Sequence, residues 1–351
     1  MASVSARAAE SDDAHWSQIV AAAKREGRVT LYSASVGTQE HVAIARAFEA
    51  RYGVAVDILE ARASEIRERN RVEAASGRRI ADVMWNGSTS TGIEEAAGML
   101  AAIGPLPRRN ALRPRFDGDG LSIKLALTVY GLLINTSLVS DAAAPTSWRD
   151  LADPRWKGKI LTDDMRALGG GAVFFFVTYE HLGREFHEAL ARQQPQFSRA
   201  LPENQRRVAR GEFAIYLPMV LSESLRLKGL PVRAIVPEEG APYVLFNLSI
   251  MKDAPHPNAA RLLINHFLEP ESRAMFVERG RPVTIAGDDG ALAPRNPCHC
   301  QPQVVGDHGL DAAGEDAEPR GRDLQVATKW RNLALPPISA PLAGINWRPA
   351  G

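Results

Sequence analysis

The first hundred residues alternate between helix-like and strand-like segments, and this alternation is the feature that most limits how the chain can fold. Apolar residues recur at helical spacing between short apolar runs that have the composition of strands. The predicted strands are Val29–Tyr32, Val54–Leu59 and Ala81–Trp85, and the predicted helices are Ala14–Gly27, Glu40–Tyr52 and Ser64–Ser76. Strands joined by helices in this way form parallel βαβ units with right-handed crossovers. The sequence therefore predicts an α/β fold.

Two of these predicted strands run directly into loops of small polar residues. Ser33 and Ser35 follow the first strand, and Asn86 and Ser88 follow Trp85 at the end of the third, before a helix that we expect to begin near residue 93. Ligands of open α/β sheets bind beyond the carboxyl ends of the strands, where the N-termini of helices also point. We therefore expect these side chains to contact a ligand. Helix capping is the alternative for the hydroxyls, and simple burial is the alternative for the Trp85 indole.

A second group of candidate residues precedes an aromatic-rich helix predicted over Ala172–Leu182. Gly169 and Gly170 belong to a triple glycine before this helix, and Arg166 lies just upstream. The guanidinium of Arg166 is expected to clamp a carboxylate or phosphonate in a bidentate manner, while the helix N-terminus holds the same negative group. A surface ion pair between Arg166 and a neighbouring aspartate, Asp163 or Asp164, is the alternative.

Two tyrosines and three glutamates complete the set of candidates. Tyr130 and Tyr216 could form an apolar wall of the site, although a tyrosine in an apolar strand, such as the one predicted over Phe213–Leu217, usually lies in the core. Glu223 is assigned to the site as the residue that would contact a cationic ligand, such as a polyamine or a thiamine-like molecule. Two further glutamates, Glu238 and Glu239, would then also become relevant.

Composition and missing motifs exclude several classes of function. The 42 basic and 41 acidic side chains leave a net charge of +1, so no overall field attracts nucleic acid. No nucleophile elbow, phosphate-binding loop or paired-histidine zinc motif occurs. We therefore expect no enzyme activity, no cofactor and no nucleic-acid partner. Cys298 and Cys300 flank a histidine, but no second ligand cluster follows at zinc-finger spacing, so no functional metal site is expected.

The beginning of the chain bears on its cellular location. No stretch approaches the roughly 18 consecutive apolar residues of a membrane-spanning helix. The segment Ala6-Arg7-Ala8 resembles a signal-peptidase recognition triplet. One interpretation is a mature periplasmic protein from which a signal peptide has been removed, and the other is an alanine-rich cytosolic start.

Six segments, in order, resemble a known class of transport proteins. They are Ala21–Ser33, Phe48–Val54, Gly77–Trp85, Pro145–Ile160, Gly211–Ile215 and Ala254–Ala260. From about Trp16 to Thr284 the chain resembles the solute-binding proteins of ABC importers, in the class that includes ferric-ion-binding and 2-aminoethylphosphonate-binding proteins. The tail past Pro282 does not share this resemblance.

The resemblance implies a type II periplasmic-binding fold, in which two α/β lobes are joined by crossing hinge strands. Residues 14–125 and 246–351, including the tail, would form one lobe, and residues 126–245 the other. The crossings would fall near Leu125–Tyr130 and Tyr243–Asn247. A monomer would capture its ligand in the cleft by hinge closure and deliver it to a permease in the inner membrane.

The expected ligand follows from one difference between this chain and the ferric-ion binders of the class. Ferric-ion binders of this class carry adjacent tyrosines, whereas this chain has only Tyr216 at the corresponding position. A single phenolate does not supply the oxygen-rich coordination that iron(III) prefers. We therefore expect a small organic anion, a carboxylate or a phosphonate, with ferric ion and a polyamine or thiamine-like cation as alternatives.

Overall fold

The computed structural model describes residues 2–112 and 120–284, with side chains from residue 14 onward. The chain divides into two compact units. Among the described residues, the first unit consists of residues 2–112, 120–128 and 244–284, and the second of residues 129–243. The cysteine pair Cys298 and Cys300 and the rest of the tail lie outside the described residues. The predicted lobe boundaries at 125 and 246 differ by a few residues from these divisions, and the assignment of the tail stays a prediction.

The first unit is an α/β structure built around a mixed sheet. Its elements are α1 (Ala2–Glu26), β1 (Arg28–Ser33), α2 (Gln39–Tyr52), β2 (Ala55–Glu60), α3 (Ala63–Ser76), β3 (Val83–Gly87), α4 (Ser88–Ala96) and β4 (Leu100–Ala101), the start of β5 (Ser122–Asn135), most of β10 (Tyr243–Met251), α7 (Pro257–Phe267) and α8 (Pro270–Glu278). Strand β1 is parallel to both β2 and β3, which confirms the βαβ pattern predicted from the sequence. Strand β10 is antiparallel to β3 and β4.

The parallel register brings the ends of β1 and β3 level with each other. Ser33 is the partner of Trp85 across the two strands, and the amide of Ala34 donates to the carbonyl oxygen of Trp85 at 2.8 Å. The two strand ends predicted to carry ligand-binding groups are therefore neighbours at one edge of the sheet. Beneath them lies a core of aliphatic and aromatic side chains contributed by the strands and by α2, α7 and α8.

The second unit has its own sheet and core. It contains the remainder of β5, then β6 (Ile160–Thr162), α5 (Gly170–Arg192), β7 (Gln196–Phe197), α6 (Leu201–Ala209), β8 (Ile215–Val220) and β9 (Val232–Ile235), with 3-10 helices at Asp141–Ala143, Trp148–Ala152, Pro154–Trp156 and Leu221–Leu227. Strand β5 is antiparallel to β8 and β9, and β6 is parallel to β7 and β8. Helix α5 contains a kink at Gly183.

Helix α4 differs from its prediction in a way that matters for the site. It begins at Ser88, five residues before the predicted start at Ile93. Hydroxyl-bearing residues predicted a loop here because such side chains compete for backbone hydrogen bonds. In the structure their hydroxyls have other partners: that of Thr91 donates to the carbonyl oxygen of Gly87, and that of Ser88 to the carbonyl oxygen of Leu245. The helix backbone is therefore free to form.

The triple glycine at the start of α5 has a steric explanation. Gly169 has a φ of +148°, a conformation that other residues rarely adopt. A Cβ atom on Gly170 would lie 3.0 Å from the ring of Tyr130. A Cβ atom on Gly171 would lie 2.7 Å from the carbonyl carbon and oxygen of Asp164. The three glycines therefore allow the first turn of α5 to pack directly on the preceding segment.

Substitution of Gly171 tests this packing. Gly171→Ala places a methyl group against a backbone that has no rotamer to change, so we expect a loss of about 1–3 kcal/mol in the free energy of unfolding, measured by urea denaturation. Gly92→Ala is the matched control, because its Cβ meets nothing within 4 Å and alanine favours a helix. Equal stability of the two variants would contradict the account.

Candidate ligand-binding residues at the strand ends

The two serines after β1 are buried and hydrogen-bonded within the first unit. The Oγ of Ser33 lies 3.0 Å from Nδ1 of His41, and the backbone N–H of Ser35 donates to Ser33 Oγ at 3.2 Å. The Oγ of Ser35 accepts from Nε1 of Trp85 at 2.9 Å and from Nη2 of Arg281 at 3.3 Å. Both hydroxyls therefore hold the loop in place. Both side chains are buried, at 0% and 6% exposed, and their predicted contact with a ligand stays a prediction.

Arg281 is a buried cation that the sequence analysis did not single out. Its Nη1 lies 3.3 Å from the Glu40 carboxylate, with both side chains 5% exposed, and its Nη2 donates to Thr128 Oγ1 at 3.2 Å. Burial and the positive charge of Arg281 lower the pKa of His41 well below its ordinary value, so the imidazole stays neutral. Arg281 follows the last predicted helix, where no periodic pattern marks a buried position.

Trp85 is part of the hydrophobic core. Its indole is fully buried and stacks on Phe246 and Phe276, with ring centroids 5.5 and 5.4 Å away. The indole is therefore buried, as its alternative states, and the stacking of Trp85 on a ligand stays a prediction. The indole N–H has its partner in Ser35, as buried tryptophans usually require.

Asn86, in β3, has a side-chain nitrogen without a hydrogen-bond partner among the described residues. Its side chain is fully buried, and its Oδ1 accepts the backbone N–H of Gly87 at 2.9 Å. This contact sets the orientation of the amide, because the opposite orientation would face an N–H with another N–H. Its Nδ2 then has no hydrogen-bond partner among the described residues. A buried donor without a partner costs about 1–3 kcal/mol, so this group requires an explanation.

The N-terminus of α4 follows Asn86 after a single residue. Gly87 is the N-cap and has no side chain with which to cap the first turn. The first N–H groups of a helix have no partner within the helix and carry a partial positive charge. The Oγ of Ser88 lies 3.0 Å from both the Leu245 carbonyl oxygen and Asn247 Oδ1, so the hydroxyl anchors the helix start to β10. A Cβ atom on Gly87 would come within 3.2 Å of Val244.

The N-terminus of α5 in the second unit is occupied by a carboxylate of the protein itself. Asp163, which is 5% exposed, accepts the backbone N–H of Gly171 at 2.9 Å and that of Asp164 at 2.9 Å. Asp163 therefore accepts an N–H at this helix start that a ligand anion could otherwise accept, and the contact of Gly169 and Gly170 with a ligand stays a prediction. Asp163 directly follows β6, so the strand-end argument applied to the first unit also marks it.

Arg166 forms the surface ion pair that was its alternative. Its Nε and Nη2 donate to the two carboxylate oxygens of Asp164 at 2.8 and 2.9 Å. The guanidinium holds the pKa of Asp164 below its usual range, mainly through this hydrogen bonding. The bidentate face of Arg166 is used by Asp164 in this structure, and the clamp on a ligand stays a prediction.

The remaining candidates of the second unit also have internal partners. Tyr216 lies in a core cluster, and burial, reinforced by the negative charge of Asp163, raises its pKa above the ordinary tyrosine value. Tyr130 is buried with its ring against Gly170. Glu223 accepts a hydrogen bond from Gln205 Nε2 at 3.2 Å. Both tyrosines are therefore buried, as their alternative states, and a ligand contact of Tyr130, Tyr216 or Glu223 stays a prediction.

Metal-binding clusters and membrane-spanning helices are both absent from the described residues. Within residues 2–112 and 120–284, no group of three or more histidine, cysteine, aspartate or glutamate side chains could hold a metal ion. No helix in the same ranges has the length and apolar character needed to cross a membrane.

Comparison of the sequence with known families gives a match over more than half of the chain. The profile of bacterial extracellular solute-binding proteins matches residues 103–301. An uncharacterized protein of Haemophilus influenzae is 27% identical over 165 residues, which is 45% of this chain and 48% of that protein. The chain therefore matches about half the length of this curated relative.

Solved structures agree with the fold. Iron-bound HitA from Pseudomonas aeruginosa is similar with a TM-score of 0.66 and 20% identity, covering 79% of this chain and 90% of HitA. AfuA from Actinobacillus pleuropneumoniae, with exogenous fructose-6-phosphate bound, is similar with a TM-score of 0.65 and 22% identity, covering 77% of this chain and 88% of AfuA. These similarities confirm the predicted type II periplasmic-binding fold.

Removal of the internal cap of α5 tests its structural role. Asp163→Ala leaves the N–H of Gly171 buried without an acceptor, so we expect the free energy of unfolding to fall by about 1–3 kcal/mol in urea denaturation. Asp141→Asn is the control, because its side chain is 89% exposed in a surface ion pair and is expected to cost less than about 1 kcal/mol. A neutral effect of Asp163→Ala would contradict the assignment of this carboxylate as the cap.

Proposed function

The chain belongs to the bacterial extracellular solute-binding protein family, and we propose that it is a periplasmic protein that captures a small organic anion for an ABC importer. It acts as a monomeric binding protein, without catalysis of its own, and delivers its ligand to the permease in the inner membrane. The residues of the first unit at the start of α4 carry the anion specificity.

The amide of Asn86 is the observation that carries this proposal. Its Nδ2 is a fully buried donor without a partner among the described residues, two residues before the first residue of α4. An oxygen of a carboxylate, phosphonate or phosphate ester would satisfy this donor and the first-turn N–H groups of α4 together. Neutral donors of this kind bind an anion without the desolvation cost of burying a cation.

The other candidate anion positions support the choice of α4, because carboxylates of the protein already occupy them. Asp163 occupies the N-terminus of α5, and Asp164 occupies the bidentate face of Arg166. The guanidinium of Arg281 is paired with Glu40. At the N-terminus of α4, by contrast, the N-cap Gly87 makes no side-chain hydrogen bond to the first turn in the part of the chain that the structure describes. AfuA, a protein of similar fold, has been solved with a sugar phosphate bound, and this is the class of anion that we place first.

Iron is the second candidate ligand, since HitA has been solved with iron bound. A phenolate ligand must lose its proton and reach the metal. Tyr216 is 2% exposed, and burial raises its pKa, so the neutral phenol is favoured. The isolated tyrosine of this chain therefore does not suit ferric ion.

A cationic ligand is also disfavoured by the partners of the glutamates assigned to it. Glu223 lies 3.8 Å from Arg226 Nη1 and accepts from Gln205. The carboxylate of Glu239 accepts hydrogen bonds from the hydroxyl of Ser147 and the backbone N–H of Trp148. Neither carboxylate is left as an unopposed negative charge for a polyamine.

Ligand identification and a variant of Asn86 test the proposal together. We expect a thermal-shift screen of sugar phosphates, alkylphosphonates, di- and tricarboxylates, polyamines and ferric citrate to give the largest rise in melting temperature with an organic anion. Asn86→Ala removes one hydrogen bond to a charged oxygen, worth about 1.5–3 kcal/mol, so affinity measured by calorimetry should fall by about 10- to 100-fold.

The control for this experiment is Arg166→Ala, which should leave the affinity unchanged because that guanidinium serves Asp164. If Asn86→Ala binds as tightly as the wild type while Arg166→Ala loses affinity, the anion is held in the second unit and the proposed site is wrong.

Titration with iron provides a separate prediction. Ferric citrate added under aerobic conditions should give no phenolate-to-iron charge-transfer absorption, since Tyr216 is buried and protonated. An absorption band that disappears in Tyr216→Phe would show that iron is the ligand.

A further inference from the structure

Glu94 is a fully buried carboxyl group that the proposed ligand site does not use. It lies on α4, close to α3 and β3, and is 0% exposed. One carboxyl oxygen, Oε1, accepts a hydrogen bond from Nδ2 of Asn70 on α3 at 2.9 Å. The same amide nitrogen contacts the sulfur of Met84 on β3 at 2.8 Å. Glu94 and Asn70 therefore connect two helices across the apolar interior of the first unit.

The two remaining polar atoms of this pair point to a missing proton. Oε2 of Glu94 and Oδ1 of Asn70 are both buried without a hydrogen-bond partner among the described residues. A carboxylate oxygen and an amide oxygen are both acceptors, so they cannot bond to each other while Glu94 is ionised. A proton on Oε2 makes it a donor for Oδ1. A hydrogen bond from this donor to Oδ1 would run parallel to the one from Asn70 Nδ2, and all four polar atoms would then be satisfied.

We propose that Glu94 keeps its proton in the folded protein and fastens α4 to α3 through an acid–amide pair with Asn70. The pair is a pH-sensitive lock, because loss of the proton leaves a buried charge and two facing acceptors in its place. Both residues of the pair lie in the first unit, and their hydrogen bonds do not require a bound ligand. That the lock also controls ligand affinity rests on the proposed function, since α4 carries the anion site at its N-terminus.

The charged groups around the pair favour the ionised form of Glu94, but the effect of burial is larger. Arg67 on α3 and Arg79 after it favour the ionised carboxylate, as does the hydrogen bond from Asn70, whereas burial raises the pKa of Glu94 from 4.5 to about 7. The neighbouring acid on α3, Glu73, is engaged elsewhere: it accepts from the hydroxyl of Tyr32 at 2.6 Å and from the backbone N–H of Ile80 at 3.0 Å.

The direction of the pH effect follows from this raised pKa. The folded protein holds the proton more tightly than the unfolded chain, whose glutamate has a pKa near 4.5. The stabilisation is fully present below about pH 4.5, is lost as the pH rises towards about 7, and changes no further at higher pH. A bacterial protein that faces the outside medium would experience this range directly.

Glu94→Gln tests the lock without a ligand. The glutamine amide donates to Asn70 Oδ1 and accepts from Asn70 Nδ2, so it reproduces the protonated pair but cannot titrate. Urea denaturation is measured from about pH 5 to pH 9 for the wild type and the variant. The unfolding equilibrium constant of the wild type should rise relative to that of the variant by up to about a hundredfold over this range.

Glu68→Gln on α3 is the control, since the carboxylate of Glu68 is exposed and paired with Arg71. The ratio of the unfolding equilibrium constants of the wild type and this variant should stay constant with pH. A constant ratio for Glu94→Gln as well would overturn the proposal.

NMR of wild-type protein labelled with ¹³C at glutamate carboxyls provides a measurement that needs no variant. One carboxyl should titrate near pH 7, and titration of all of them near their ordinary pKa would equally overturn the lock.

Ligand binding separates this proposal from the proposed function. If the lock controls α4, the affinity for the anion found in the screen should fall above about pH 7 in the wild type and not in Glu94→Gln. A pH-dependent stability without pH-dependent affinity leaves the lock in place and shows that the lock does not control ligand binding; the site at α4 is then tested by Asn86→Ala alone.

Discussion

Polar groups buried where strands end must find hydrogen-bond partners, and this requirement determines much of the structure around the candidate site. In the first unit the hydroxyl of Ser35 accepts from both the Trp85 indole and the Arg281 guanidinium. In the second unit the carboxylate of Asp163 fills the same need at the start of α5. Once these groups have been satisfied, Asn86 Nδ2 stands out as a buried donor that still requires an acceptor.

Helix α4 combines two features that depend on hydrogen-bond partners for buried polar groups. Its N-terminus begins beside Asn86, and its interior carries Glu94 against α3. Both features leave a buried polar atom without a partner among the described residues. We propose that an anion supplies the acceptor for Asn86 and that a proton supplies the donor for Glu94. The helix is thus the element through which ligand and proton can influence each other.

The sequence predicted the architecture better than the roles of individual side chains. The alternation of helices and strands gave the parallel arrangement of β1, β2 and β3, because hydrophobic periodicity records which face of each element is buried. Periodicity does not record which buried polar group already has a partner. Ser35 and Arg166 match a ligand-binding pattern, but their partners Arg281 and Asp164 are chosen by the folded structure. The start of α4 at Ser88 was also missed, because Ser and Thr favour a loop unless their hydroxyls are satisfied elsewhere.

The account depends most directly on where the anion contacts the protein. The decisive measurement is an NMR titration of ¹⁵N-labelled protein with inorganic phosphate and with the best anion from the screen. If the anion binds at the start of α4, the side-chain amide of Asn86 and the backbone N–H signals of Ser88 and Thr89 should shift together and saturate at one ligand concentration. Shifts confined to Gly170, Gly171 and the guanidinium of Arg166, with the Asn86 amide unchanged, would contradict binding at this site.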